Sequence, residues 1–471
     1  MSVNRIEGKG IRRGTFLNVM IVAMVFCSAM MISPGVSSAK RGKIQFVSDV
    51  ETEETLKYFV MPILRAAHLD PSLIQFQLIR DNSLNAFVIG GMEIYVHSGL
   101  IEKADNVGQL VGVFAHEIGH ISGGHVIKGT EAMKNANKKA LVASLIGLGA
   151  GLATQSAEVG AASVFAGMGV AQKSFLSFSR AQESSADQAA LKYLSASGFS
   201  AKGFEDFFHK LADQELLPPE RQDPFLRTHP MTKDRIESVR IFNEKSPYVS
   251  KPYPADYEEK FKRLRAKFLG YFHPQQALRK FKKMETIDEK YGYAYALFQQ
   301  KKMTEALSIA EELLKKEPDN PFFHEFKGQL LFQHSKIADA IVSYKRAVQL
   351  LPDAPGLRLD LVHAMLETES QQNWQEAETH LKRVLHQSEE NTHFWQLLAT
   401  DMGKLGRKGE MHFAMAKKYH LLEENDKAKG YLKLALAETP KNSPYFIQLQ
   451  DLKYQILGEE DDASQKKAKK K

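Results

Sequence analysis

The segment MTEALSIAEELLKKEPDNP at 303–321 is echoed by IADAIVSYKRAVQLLPDAP at 337–355. Ala306 and Ala340 are 34 residues apart, as are the pairs Pro318-Asp319 and Pro352-Asp353. A repeat of this length leaves a chain few options. Each unit is a helix–turn–helix that cannot bury its own apolar face, so neighbouring units must stack into a superhelix. The small alanine lets paired helices approach closely, and the proline ends the second helix. Looser copies follow: WQEAETHLKRVL carries Ala377, the next helix carries Trp395, and NDKAKGYLKLALAETPKN at 425–442 reads as another second-half helix. About four repeats are expected in all.

Period and helical content are those of the tetratricopeptide repeat (TPR). Such arrays present a concave face that binds peptides or proteins. Pro247, Pro252 and Pro254 break the pattern upstream. The expected organisation is therefore a first domain at 40–246, a linker at 247–268 and an all-α TPR superhelix at 269–458.

The two ends of the chain differ from its body. Arg5, Lys9, Arg12 and Arg13 precede a mostly apolar run from Phe16 to Ile32, and Ser37-Ser38-Ala39 offers a cleavage site. Residues 1–39 thus read as a signal peptide, with an uncleaved membrane anchor as the alternative. The only cysteine, Cys27, lies in that run, so a chain starting at Lys40 relies on no disulfide. Lys466, Lys467, Lys469, Lys470 and Lys471 give residues 459–471 the character of a disordered basic tail. The net charge of +7 comes from these two ends. The body is close to neutral, which gives no case for nucleic acid as a partner.

Within the first domain, 52–69 has helical spacing. Ile74–Ile79, Ala86–Ile89 and Glu93–His97 read as short strands separated by turn residues. A helix capped by Asp105 or Asn106 runs to about Ser122, where Gly123-Gly124 can end it. Further helical patterns cover 174–196 and 201–216. The glycine-rich stretch 141–170 reads as a buried or lid-like helical hairpin, or as a flap that contacts a membrane surface. The fold class expected is α+β, mainly α, with a small sheet ahead of the superhelix.

The chemistry lies in FAHEIGHISGGH at 114–125. On a helix, His116 and His120 sit one turn apart on one face and can both reach one zinc ion at ~2.0–2.1 Å. Glu117 then stands where a general base is needed. Val107, Leu110, Val111, Phe114, Ile118 and Ile121 form an apolar stripe, leaving the histidines on the other side. Catalytic zinc needs a third protein ligand and an open position. SRAQESSADQAALKYL at 179–194 is the best source, with Glu183 and Asp187 at i and i+4. Periodicity alone favours a solvated acidic face there.

His-Glu-x-x-His followed after 60-odd residues by Glu-x-x-Ala-Asp resembles the HtpX-type and CAAX prenyl protease family of zinc metallopeptidases, within the broad zincin group. NAFVIGGMEIYVHSGLI at 85–101 resembles the strand segment ahead of the active helix in that family, and RTHPMTKDRIESV at 227–239 also matches. The resemblance covers roughly 45–245. It implies a zincin-like endopeptidase holding one Zn2+ through His116, His120 and Glu183, with Glu117 as catalytic base and Asp187 fixing a ligand histidine. It places His229, near Arg235, where it could stabilise an oxyanion or fill the open zinc position in a resting form. His125 has no role assigned.

Unlike multi-span members, the sequence shows no clear transmembrane helices after its start. With a secretory signal and TPR repeats, it resembles the periplasmic branch of the family that acts on outer-membrane proteins. The partners this implies are unfolded or misassembled outer-membrane proteins and, through the repeats, the β-barrel assembly machinery. The strand Glu93–His97 reads either as one that pairs with extended substrate or as plain core sheet. The rival expectation is a TPR chaperone or scaffold whose zinc is structural or latched.

Overall fold

The computed structural model describes residues 45–88, 91–125, 179–215 and 222–458. The signal segment, Cys27, the glycine-rich stretch 141–170 and the basic tail lie outside the described residues. No helix among the described residues is long and apolar enough to cross a membrane.

A four-stranded sheet opens the fold. Its order is β1 (Phe46–Val47), β2 (Gln75–Ile79), β4 (Glu93–His97), β3 (Ala86–Val88). β2 and β4 run parallel, with Phe76 opposite Ile94 and Leu78 opposite Val96. β3 is antiparallel to β4. The strands arise where expected, but Glu93–His97 is bonded on both sides. It cannot take a substrate strand, because its backbone donors and acceptors are already paired with β2 and β3. The sheet edge beside it is β3.

One face of the sheet packs on α1 (Val50–Ala66) and α3 (Val107–Ser122), separated in sequence by the short α2 (Ser98–Lys103). Asp49 caps α1 by accepting from the Thr52 N–H, and Asn106 caps α3 by accepting from the Gln109 N–H. Gly124, at φ +64°, follows the end of α3. Phe76 meets Phe114 edge to face, with centroids 5.1 Å apart. α4 (Arg180–Ala196) and α5 (Lys202–Glu215) cover the rest of α3. Every residue of α3 from Val107 to Ile121 is therefore buried. The one-sided helix expected from its apolar stripe is enclosed all round, and its polar face looks into the protein.

α6 (Pro224–Thr228) and α7 (Lys233–Lys245) complete this part. Residues 247–268, expected as a linker, contain most of α8 (Ala255–Phe272). Tyr257, Phe261, Leu264 and Phe268 follow helical spacing and join the first core. Ala266 faces the other way, into a cluster with Ala277, Phe281 and Ala296. The prolines at 247, 252 and 254 mark the approach to this shared helix rather than a free tether.

Two groups on α8 fasten the halves together. A Cβ on Gly270 would lie 2.1 Å from the Gly292 carbonyl oxygen, so only glycine permits this backbone approach. Lys267 is buried, with Nζ 2.6 Å from Asp49 Oδ2 and 3.0 Å from Glu51 Oε2. The Tyr291 hydroxyl donates to Glu51 Oε2 at 2.7 Å. Val50 itself packs into the second large core, with Leu357 and Leu361.

After α9 (Pro274–Lys280), helices follow in pairs: Ile287–Gln299 with Met303–Lys316, Pro321–Gln333 with Ile337–Leu350, Pro355–Leu366 with Gln371–Gln387, and Thr392–Lys404 with Lys408–Leu421. Asn425–Glu438 and Tyr445–Leu457 close the array. The repeating alanines Ala306, Ala340, Ala377 and Ala428 are all fully buried. The turns repeat too. Lys301, Ser335, Gly406 and Glu423 each take a left-handed conformation, with φ of 62°, 58°, 73° and 59°. Short left-handed turns of this kind reverse the chain between helices.

Candidate metal centre

α3 carries His116, Glu117 and His120, α4 carries Glu183 and Asp187, and His229 ends α6. A Cβ on Gly119 would fall 2.6 Å from the Ala186 carbonyl oxygen. The glycine inside His-Glu-x-x-His thus lets α4 cross α3 closely enough for Glu183 to reach both histidines. α6 is held in place by Asp223, whose Oδ1 accepts from the Leu84 N–H at 2.9 Å.

His116, His120, Glu183 and His229 are fully buried, and each offers one ligand atom within 4.8 Å of the others. His116 Nε2 lies 3.0 Å from His120 Nε2 and 3.3 Å from His229 Nδ1. Glu183 Oε1 lies 3.0 Å from His229 Nδ1 and 3.3 Å from His120 Nε2, and Oε2 lies 3.4 Å from His116 Nε2. A tetrahedral ion with bonds of ~2.0–2.1 Å has ligand–ligand edges of about 3.3–3.4 Å. The donor spacing fits such an ion, with three nitrogens and one carboxylate oxygen. His229 Nδ1 would supply the fourth donor.

The surroundings orient these donors. His116 Nδ1 stands 2.8 Å from Asp187 Oδ1, which turns its Nε2 towards the centre. Arg235 grips Asp187 through two bonds, Nε to Oδ2 at 2.7 Å and Nη2 to Oδ1 at 2.8 Å. Its Nη1 reaches Glu183 Oε2 at 2.7 Å and the Pro230 carbonyl at 2.9 Å. The His229 ring stacks on Phe225 at 4.4 Å, and the His229 backbone N–H donates to the Phe225 carbonyl at 2.7 Å.

Charge follows this geometry. Burial opposes ionisation of Glu183, but His229, His116 and His120 hold its carboxyl well below the usual range. Burial would also lower His116, yet the Asp187 and Glu183 carboxylates raise it to about 9. Burial pushes His120 down to about 3, so its ring is a neutral donor. Glu117 is pushed up, chiefly by burial. Both of its oxygens are buried without a hydrogen bond, and His229 Nε2 is 3.5 Å from one of them. A buried, unbonded carboxylate beside a ring of donors is costly unless it serves a ligand.

The structure brings together His116, Glu117, His120, Glu183, Asp187, His229 and Arg235. His125 lies beside them, its ring 5.4 Å from His120, but outside the four-donor group. Phe225 is the neighbour that the sequence did not single out. Asp223-Pro224 is a helix-start signal that could have drawn attention to α6.

Residues 51–242 match the model of peptidase family M48, and 303–429 match that of the cytochrome c-type biogenesis protein H TPR domain. The chain is similar to the beta-barrel assembly-enhancing protease of Yersinia pestis, 29% identical over 62% of this chain and 60% of that protein. The Escherichia coli (strain K12) protein of the same name is 27% identical over 86% of this chain and 82% of its own length. Among solved structures, "MamA RS-1 ArsTM double mutant" aligns with 40% of this chain and 96% of its own, at 14% identity and a TM-score of 0.28. On the family matches and the site geometry, the chain carries a metalloprotease domain of peptidase family M48 followed by a TPR domain.

Proposed function

We propose that the chain is a periplasmic zinc endopeptidase that hydrolyses peptide bonds of misfolded or stalled outer-membrane proteins. The TPR array would bind these clients or the β-barrel assembly machinery. The observation that carries the reading is the spacing of the four donors around one point, with the unbonded Glu117 beside them. Imidazole and carboxylate donors in a tetrahedral set suit zinc. The basic-then-apolar pattern of residues 5–32 and relatives named for enhancing β-barrel assembly support the compartment and the client.

Zinc, when bound, supplies a Lewis acid that polarises the scissile carbonyl and acidifies water. Glu117 takes the proton from the attacking water and hands it to the leaving amine. Asp187 and Arg235 keep His116 and Glu183 in register. His229 must leave the donor ring to open the position that substrate requires, so the arrangement described is the resting form. An extended client would add to the sheet at β3, its edge strand among the described residues, which packs against α3.

The closed donor set also favours a second reading, a chaperone whose metal site is structural or latched. The deciding experiment incubates an unfolded outer-membrane barrel protein with the purified mature chain and with Glu117→Gln. Cleavage by the native chain alone supports the protease. If neither cuts but both keep the client soluble, the chaperone reading takes its place.

A further inference from the structure

We infer that His363 and His393 form a second site for a tetrahedral divalent metal ion such as Zn2+, bridging two successive TPR units. His363 belongs to Pro355–Leu366 and His393 to Thr392–Lys404, the first helices of neighbouring pairs. Their Nε2 atoms lie 3.4 Å apart and their ring centroids 5.5 Å apart. At metal–nitrogen bonds of ~2.0–2.1 Å, that separation subtends about the tetrahedral angle. The same span separates His116 Nε2 from Glu183 Oε2 in the protease centre.

The protonation state is right for a ligand. Burial lowers His363, as does its neighbour His393, and burial and Lys418 lower His393. Both rings are therefore neutral at neutral pH, with lone pairs to offer. Among the described residues no third His, Cys, Asp or Glu stands within ligand distance of both rings, so the two histidines are the protein's donors. Glu367 caps the His363 helix one turn further on, and its charge acts on His363. Both histidines are partly desolvated yet still reach solvent, so water can complete the coordination. Imidazole donors select zinc over harder cations such as magnesium or calcium. The ion would tie consecutive units of the array together, far in sequence from the catalytic centre.

The test uses the full mature chain with its protease centre already loaded with zinc. Calorimetric titration with further Zn2+ should show one additional equivalent and a rise in Tm. The double variant His363→Ala/His393→Ala should lose both effects while keeping its catalytic zinc and client cleavage. His334→Ala, an exposed histidine elsewhere in the array, should behave as native. Absence of the additional equivalent in the native chain would overturn the proposal. So would its survival in the double variant.

Discussion

His229 Nδ1 and Glu183 Oε1, 46 residues apart in the chain, meet at 3.0 Å inside the donor ring of the protease centre. A catalytic zinc site keeps a position open, whereas a closed one is inert. On the proposed reading, the contact is a latch. His229→Ala leaves His116, His120 and Glu183, enough to hold zinc. Basal proteolysis should rise by on the order of tenfold or more, since the competent fraction no longer depends on displacing a ring. Parallel measurement of zinc content and client cleavage checks this. An inert variant with full zinc would show that His229 serves the reaction instead.

Asp187 touches no substrate position, yet it accepts two bonds from Arg235 and stands 2.8 Å from His116 Nδ1. Asp187→Asn keeps the shape but weakens the hold on the His116 tautomer. Zinc affinity should fall about 10–100-fold. Competition with a chelator measures it, with Glu117→Gln as the control that should bind zinc normally. Unchanged affinity in the aspartate variant would leave Asp187 with a packing role only.

Much of this centre was legible in the sequence because it rests on short-range periodicity. The i, i+4 spacing of His116 and His120, the Asn106 cap and the Gly123-Gly124 end are local. Glu183 was legible as a spacing and became a ligand candidate through resemblance. What could not be read is long-range. Nothing local tells that α4 and α5 enclose α3, or that β4 is paired on both sides. The role of α8 was masked by three prolines just upstream, although Tyr257, Phe261, Leu264 and Phe268 repeat at helical spacing. The burial of Lys267 depends on Asp49 and Glu51, more than 200 residues earlier, a pairing no window reveals.

That pairing predicts a stability phenotype. Lys267→Met would leave the buried Glu51 and the half-buried Asp49 without their cation, a loss of about 3–5 kcal/mol. The pH dependence follows from Asp49. Burial opposes its ionisation, but Lys267 wins and holds the carboxyl below its ordinary value. A depressed carboxyl stabilises the fold above its unfolded pKa of ~3.9 and loses that effect as pH falls through the folded value. The penalty of Lys267→Met should thus be full at neutral pH and shrink below about pH 4. Denaturant titrations of both proteins at several pH values check it. A penalty that stays constant into acid would mean that Lys267 acts through packing alone.

Asp401 carries the opposite sign. It lies on Thr392–Lys404, fully buried, and neither carboxylate oxygen has a hydrogen-bond partner. Burial, reinforced by Glu378 and only partly countered by Arg407 and Lys404, raises it to about 7. A carboxyl raised on folding gives its full stability below the unfolded value of ~3.9 and loses it as pH climbs towards 7. Asp360, also raised to about 7, adds to the same trend. Asp401→Asn removes the charge at nearly constant volume. The variant should be more stable than the native chain at pH 8, by about 1–3 kcal/mol. The gap should shrink as pH falls below 7 and close below about pH 4. Thermal unfolding across that range, with the protease centre zinc-loaded throughout, reads the difference directly. A gap of equal size at both ends would show that Asp401 does not titrate between them.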